Sequence, residues 1–156
     1  MHSRIYQITS TPIEEADYIS ESDFYEHWFT NSIADYVDGD TDRAADIQCL
    51  RARLSDIAFI DVDDSFVILP RGKEIYFTKA YEAFLTARNE IMNMSLTEFA
   101  GDGFSESMHR MQNAFCDEFS FYVSSDEFRT IPFDEFIRYA EIGTRYYIGA
   151  TLDYHF

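Results

Sequence analysis

Ile57-Ala58-Phe59-Ile60-Asp61-Val62-Asp63-Asp64-Ser65-Phe66-Val67-Ile68-Leu69-Pro70-Arg71-Gly72 holds two β-rich runs around an acidic tip. The runs 57–60 and 66–69 are β-branched and aromatic, which suits a pleated, half-buried surface. The Asp/Ser-rich residues between them favour a turn, so the segment reads as a β-hairpin. Pro70 and Gly72 stop it. From about Glu74 to Met92 the period changes: Phe77, Tyr81, Phe84, Arg88 and Ile91 recur at helical spacing. A hairpin feeding a long helix points to an antiparallel sheet with helices packed on it.

Towards the N-terminus, Arg4–Thr9 alternates and reads as a strand, followed by a loop at Pro12. A helix is expected over about Ser22–Val37, with Phe24, Tyr25, Trp28, Phe29, Ile33, Tyr36 and Val37 as its apolar stripe and Trp28 in the core. Ser20 or Ser22 caps it, Asp23 and Glu26 favour its first turn, and Gly39 ends it. A second helix spans about Asp42–Asp56, with Ile47, Leu50 and Leu54 inward.

Towards the C-terminus, Ser95-Leu96-Thr97-Glu98 is a capping-box pattern that restarts a helix. Residues 105–116 form another, with Met108, Met111 and Phe115 inward, and 119–123 a strand. Ser124-Ser125-Asp126-Glu127 repeats the capping pattern over a short turn. Pro132 opens a helix through Ala140, and Thr144–Phe156 reads as an edge or penultimate strand. The expectation is one α+β domain over residues 1–156, with helices on a mainly antiparallel sheet of four or five strands.

The 156 residues are 46% hydrophobic and 17% aromatic, enough to bury a core built on rings. Acids outnumber bases 29 to 12, for a net charge of −17. That balance excludes a direct grip on nucleic-acid phosphates and disfavours anionic membranes. No apolar run approaches a membrane span, and Met1–Ile8 lacks the layout of a signal peptide, so a cytoplasmic protein is expected. Cys49 and Cys116 read as reduced, buried and structural.

Motifs for chemistry fail on inspection. Asp38-Gly39-Asp40-Thr41-Asp42 opens like a calcium loop, yet Arg43, Ala45 and Cys49 stand where Gly, an apolar residue and Glu are required. His2, His27, His109 and His155 have no partner at zinc-ligand spacing, and His27 reads as a surface residue on the polar edge of its helix. There is no phosphate-binding glycine loop and no nucleophile elbow. No catalytic residue, cofactor or metal ligand is therefore assigned. Asp61, Asp63 and Asp64 could hold a hard cation, which keeps a small metal-dependent enzyme as a rival.

One asymmetry remains. Residues 5–42 hold ten acids and no Lys or Arg. On the outer face of a folded segment such carboxylates present a phosphate-like field to a Lys/Arg groove. The expected partner is thus a basic nucleic-acid-handling protein, with Asp23, Glu26, Asp35, Asp38, Asp40 and Asp42 as contact residues. The crowded rings of Tyr146-Tyr147 and Tyr154-His155-Phe156 are a second candidate surface.

Met1-His2-Ser3-Arg4-Ile5-Tyr6-Gln7-Ile8, Phe24-Tyr25-Glu26-His27-Trp28-Phe29 and Ala34-Asp35-Tyr36-Val37 are similar to small acidic proteins of bacterial phages and mobile elements. The resemblance covers the first quarter of the chain and implies no catalytic residues. It implies a non-enzymatic inhibitor of the anti-CRISPR kind, which blocks a CRISPR effector nuclease by nucleic-acid charge mimicry. The alternative is an immunity protein or antitoxin that neutralises a toxin nuclease.

Overall fold

A computed structural model describes residues 1–115, 120–125 and 129–156. In chain order the described elements begin with β1 (His2–Thr9), two short 3-10 turns (Glu15–Asp17 and Glu21–Phe24), α1 (Trp28–Ser32) and β2 (Tyr36–Asp38). Then come α2 (Arg43–Leu54), β3 (Ala58–Ile60), β4 (Ser65–Ile68), α3 (Gly72–Met92), α4 (Leu96–Phe99) and α5 (Gly103–Phe115). The chain closes with β5 (Tyr122–Ser125), β6 (Arg129–Pro132), α6 (Phe133–Tyr139) and β7 (Arg145–His155). The seven strands form one sheet in the order β3-β4-β7-β1-β5-β6, with β2 also on β7. All pairings are antiparallel except β1 with β5. The mixed helix and sheet content agrees with the α+β expectation, and the strand number corrects it: seven among the described residues, not four or five.

The hairpin forms as read, with Phe59 opposite Val67. Its placement explains a second correction. β4 does not end at an edge but pairs with β7, so 145–155 is a central strand rather than an edge or penultimate one. β7 is long enough for β4 to pair with 145–147 and β2 with 153–155 along the same side, opposite β1. Arg43 fills the space between them: its guanidinium donates to the Ile148 and Gly149 carbonyls at 2.9 and 2.8 Å. Thr41 does the same for the Thr151 carbonyl at 3.0 Å. These side chains supply donors to β7 carbonyls where no strand lies.

A bulge at Gly149 lets β7 serve both faces. Tyr6 faces Thr151 while Ile8 faces Ile148, so one extra residue of β7 is inserted. Tyr146 and Ile148 therefore join the core on one face, and Ala150, Leu152 and Tyr154 join the core on the other, although all are even-numbered. A Cβ on Gly149 would lie 2.5 Å from Gln7 Oε1 and 2.9 Å from Ile13 Cδ1, so any larger residue would displace the Gln7 amide or the Ile13 side chain.

One face is covered by α2 and α6, through Ile47, Leu50, Leu54, Phe133, Phe136 and Ile137. The other is covered by residues 19–37, through Ile19, Phe24, Phe29, Ala34 and Val37. Two of the C-terminal rings are consumed by these cores, Tyr154 at 0% exposure and Tyr146 buried, while Tyr147, His155 and Phe156 are half-buried. Tyr146 and Tyr154 therefore do not belong to the aromatic surface considered from the sequence.

The α3–α5 hairpin differs from both layers. In α3 only Gly72 and Ala87 are buried, and Tyr81, expected inward, is 61% exposed. Met108 of α5 is also exposed, while α4 carries the expected Ser95–Glu98 capping box. Cys49 is a free, exposed thiol on α2, not a core residue. The expectations for Cys116, for the Phe115 side chain and for the turn at Asp126-Glu127 fall outside the described residues. No described helix is long and apolar enough to cross a membrane.

Candidate protein-binding face

The layer over residues 10–42 is not the long helix its periodicity suggests. The chain makes a 3-10 turn over Glu21–Phe24, a second turn, and only then α1. The interruption shifts the helical phase by one residue. Phe29 enters the core at 0% exposure, and Trp28, expected there, stands 49% exposed. Local hydrogen bonds hold the break. His27 is the N-cap of α1, its Nδ1 accepting from the Phe29 N–H at 3.2 Å. The Thr30 hydroxyl donates to the Phe24 and His27 carbonyls. After Ser32 the pattern becomes period two: β2 pairs Tyr36 with His155, sending Val37 inward and Tyr36 outward.

The layer is fastened from below. Gln7 is buried, and its Oε1 accepts from the Ile19 and Ala150 N–H groups at 3.2 and 3.1 Å. Its Nε2 donates to the Asp17 carbonyl at 3.0 Å. One amide thus ties the first turns of the layer to the β7 bulge. Phe29 packs edge-to-face on Tyr122 and Tyr154, with centroids 4.7 and 5.1 Å away. The backbone that carries the acids is therefore positioned by buried contacts.

The six expected contact residues all lie on this layer, five exposed and Asp38 half-buried. They are not equivalent. Asp23 accepts from the Ser20 N–H at 2.7 Å and closes its turn. Asp42 is the N-cap of α2, accepting from the Ala45 N–H at 3.1 Å. Asp38 accepts from the Asp40 N–H at 2.8 Å. Asp35 lies 3.0 Å from His155 Nδ1. Glu26 and Asp40 are exposed, and their side chains make no ion pair among the described residues. Fastened or free, none of the layer's ten carboxylates meets a Lys or Arg among the described residues.

Three aromatic side chains share the layer and were missed as surface residues: Tyr25, Trp28 and Tyr36. Tyr25 donates to Glu21 at 3.0 Å, and this bond to a charged carboxylate raises the phenol's pKa. Tyr36 stacks on His155 with centroids 5.3 Å apart. The run Tyr36-Val37 is strand-like, and reading it with period two would have placed Tyr36 outside. Nothing in the composition separates Trp28 from Phe29; only the break at 25–27 does.

The layer's border has the opposite character. Asp46, buried, pairs with Arg4 at 2.6 Å, and Arg4 also bonds Asp153. Burial lowers the Arg4 pKa, but the bond and charge of Asp46, with Asp153, more than offset this and raise it. Asp153 is shared with His2 at 2.6 Å. At the β3–β4 tip, Asp64 holds Arg43 and Arg51, each at 3.0 Å, and Asp61 holds Arg145 at 3.1 Å. The Val62 N–H and Arg145 keep the Asp61 pKa below the ordinary carboxylate value. These carboxylates face arginines, and no group of three His, Cys, Asp or Glu suited to a metal occurs among the described residues. The hairpin tip is an ion-pair network that fastens β7 to α2.

No protein-family model, no curated protein and no solved structure matches this chain.

Proposed function

We propose that the protein is a non-enzymatic, cytoplasmic inhibitor that docks the acidic layer of residues 10–42 into a Lys/Arg-lined groove of a nucleic-acid-handling protein. One observation supports this reading most: the layer carries ten carboxylates and no base, while arginines elsewhere are engaged by Asp46, Asp61, Asp64 and Asp153. A solubilising surface needs only net charge. This layer also exposes Tyr25, Trp28 and Tyr36 among its acids, and Tyr and Trp are common anchors in protein interfaces.

The mechanism is occlusion. Carboxylates on a backbone held by Gln7 and the Phe29 cluster stand in for the phosphates that the groove would bind, and the aromatic rings supply contact area that phosphates lack. An RNA-guided CRISPR effector nuclease is the most specific partner proposed, since its nucleic-acid channel is strongly basic. Asp23 and Asp42 are reassigned within this scheme. Both are spent on local caps, so Glu26, Asp35 and Asp40 are the better groove contacts.

The test is a competition experiment. Guide-loaded effector nucleases are mixed with labelled target DNA, with and without the protein. Loss of DNA binding that weakens as salt rises supports the reading. Undiminished DNA binding across a panel of effector types contradicts the anti-CRISPR assignment. A toxin nuclease neutralised by the same face would move the function to that partner.

A further inference from the structure

We propose that the exposed seam of α3 is a two-fold interface that pairs this chain with a second copy of itself. The inference is independent of the acidic layer, because the hairpin lies outside it. Residues 71–115 hold six acids and five bases, so this hairpin carries −1 of the total −17. Residues 1–42 carry −9 and residues 116–156 carry −5, so contacts between two copies through those parts bring strongly negative segments together, while residues 43–70 carry −2. The hairpin is where that repulsion is least.

Its residue pattern is self-complementary. α3 presents Phe77, Ala80, Phe84, Ala87 and Ile91 towards one side, and it packs along α5. About a quarter-turn away, Glu74, Thr78, Tyr81, Leu85, Arg88 and Met92 follow the alternating four-three spacing of a helix-pairing seam. All are exposed except Leu85, which is half-buried. Tyr81 sits at the middle of this seam. Glu74 lies seven residues before it and Arg88 seven residues after it.

An antiparallel pairing with its axis at Tyr81 therefore sets Tyr81 on Tyr81 of the second copy. It also sets each Glu74 opposite an Arg88, about 10 Å from the axis on either side. Thr78 and Leu85 fall near each other across the same axis. Within one copy these charges are weakly held: Glu74 is 3.9 Å from Arg71, and among the described residues Arg88 donates only to Asn89. Two such hairpins make a four-helix arrangement, in which neighbouring helices pack about 20° off antiparallel.

Sedimentation velocity over micromolar to near-millimolar concentration tests this. The wild type should dimerise, and more strongly at high salt, because screening relieves the mutual repulsion of two −17 chains. Binding by the acidic layer should respond to salt in the opposite sense, so the two proposals fail separately. Tyr81→Glu should give a monomer with unchanged helical circular dichroism, while Thr86→Glu, on another face of α3, should leave the dimer intact. Glu74→Arg should weaken the dimer about tenfold, since two ion pairs become two repulsions. Adding Arg88→Glu to it should restore the wild-type constant, because the swap recreates the pairing. A wild type that is monomeric at every concentration would overturn the proposal. So would a dimer that survives Tyr81→Glu, or a double swap no better than Glu74→Arg alone.

Discussion

The β3–β4 tip and the layer over residues 10–42 are both rich in aspartate, and they use it oppositely. At the tip, Asp61 and Asp64 face Arg145, Arg43 and Arg51. Their charge is spent inside the molecule, fastening a central strand. Among the described residues, the layer's acids are held by backbone N–H groups, by the Ser20 and Tyr25 hydroxyls, by His155, or by no partner, and no Lys or Arg meets them. A dense group of carboxylates is therefore not a binding feature in itself. What distinguishes the layer is that its charge remains unanswered while its backbone is fixed.

The largest expected effect concerns how the layer is fixed. Phe29→Ala should cost about 3–5 kcal/mol in chemical denaturation, because it empties the centre of the Phe24–Tyr122–Tyr154 cluster. Trp28→Ala should cost about 1 kcal/mol or less, since half of that ring is already in water. Equal losses for the two would mean that the layer keeps the uninterrupted helix its periodicity suggests.

Next comes the tip. Arg43→Ala should cost about 1–3 kcal/mol, as the Ile148 and Gly149 carbonyls lose their donor and Asp64 loses one of two arginines. Hydrogen exchange at 148–151 should accelerate with it. A silent Arg43→Ala would break the contrast, because the tip's charges would then be as idle as those of the layer.

Within the layer, Asp42→Ala should cost about 1 kcal/mol through loss of the α2 N-cap. Glu26→Gln and Asp40→Asn should stay within about 0.5 kcal/mol, and added salt should reduce any gain from them. Thermal melts at two ionic strengths distinguish these cases.

The smallest effect is in pH. The folded pKa of Asp61 is depressed by the Val62 N–H and Arg145. Its contribution to stability is fully present above the ordinary carboxylate value and is lost as pH falls through the depressed one. Arg145→Gln should raise the Asp61 pKa towards its ordinary value, which carboxyl NMR titration reads directly. An unchanged titration would remove Arg145 from the tip network.

Much of this was legible in the sequence. The hairpin, α2, α3, the α4 cap and α6 follow local propensity and capping, which neighbouring residues carry. The acidic asymmetry is simple arithmetic, and the structure places all six expected acids on one layer. What escaped was set by distant contacts. The 22–37 stripe satisfies a helix, yet pairing with β7 draws Tyr36–Asp38 into the sheet. The C-terminal strand looked peripheral because nothing local shows that β1, β2 and β4 all join it. Gly149 was the available hint of the bulge that sends its rings into two cores.

In the proposed binding mode, the unanswered carboxylates of the layer act collectively. The direct measurement is the association rate with a captured effector nuclease against ionic strength. It compares wild type with a Glu14→Lys, Glu26→Lys, Asp35→Lys and Asp40→Lys quadruple variant, which leaves the caps Asp23 and Asp42 intact. The wild-type rate should fall steeply as salt shortens the screening length to about 8–10 Å. The quadruple variant should fold normally and associate orders of magnitude more slowly. A rate independent of salt, with the quadruple variant fully active, would contradict this binding mode.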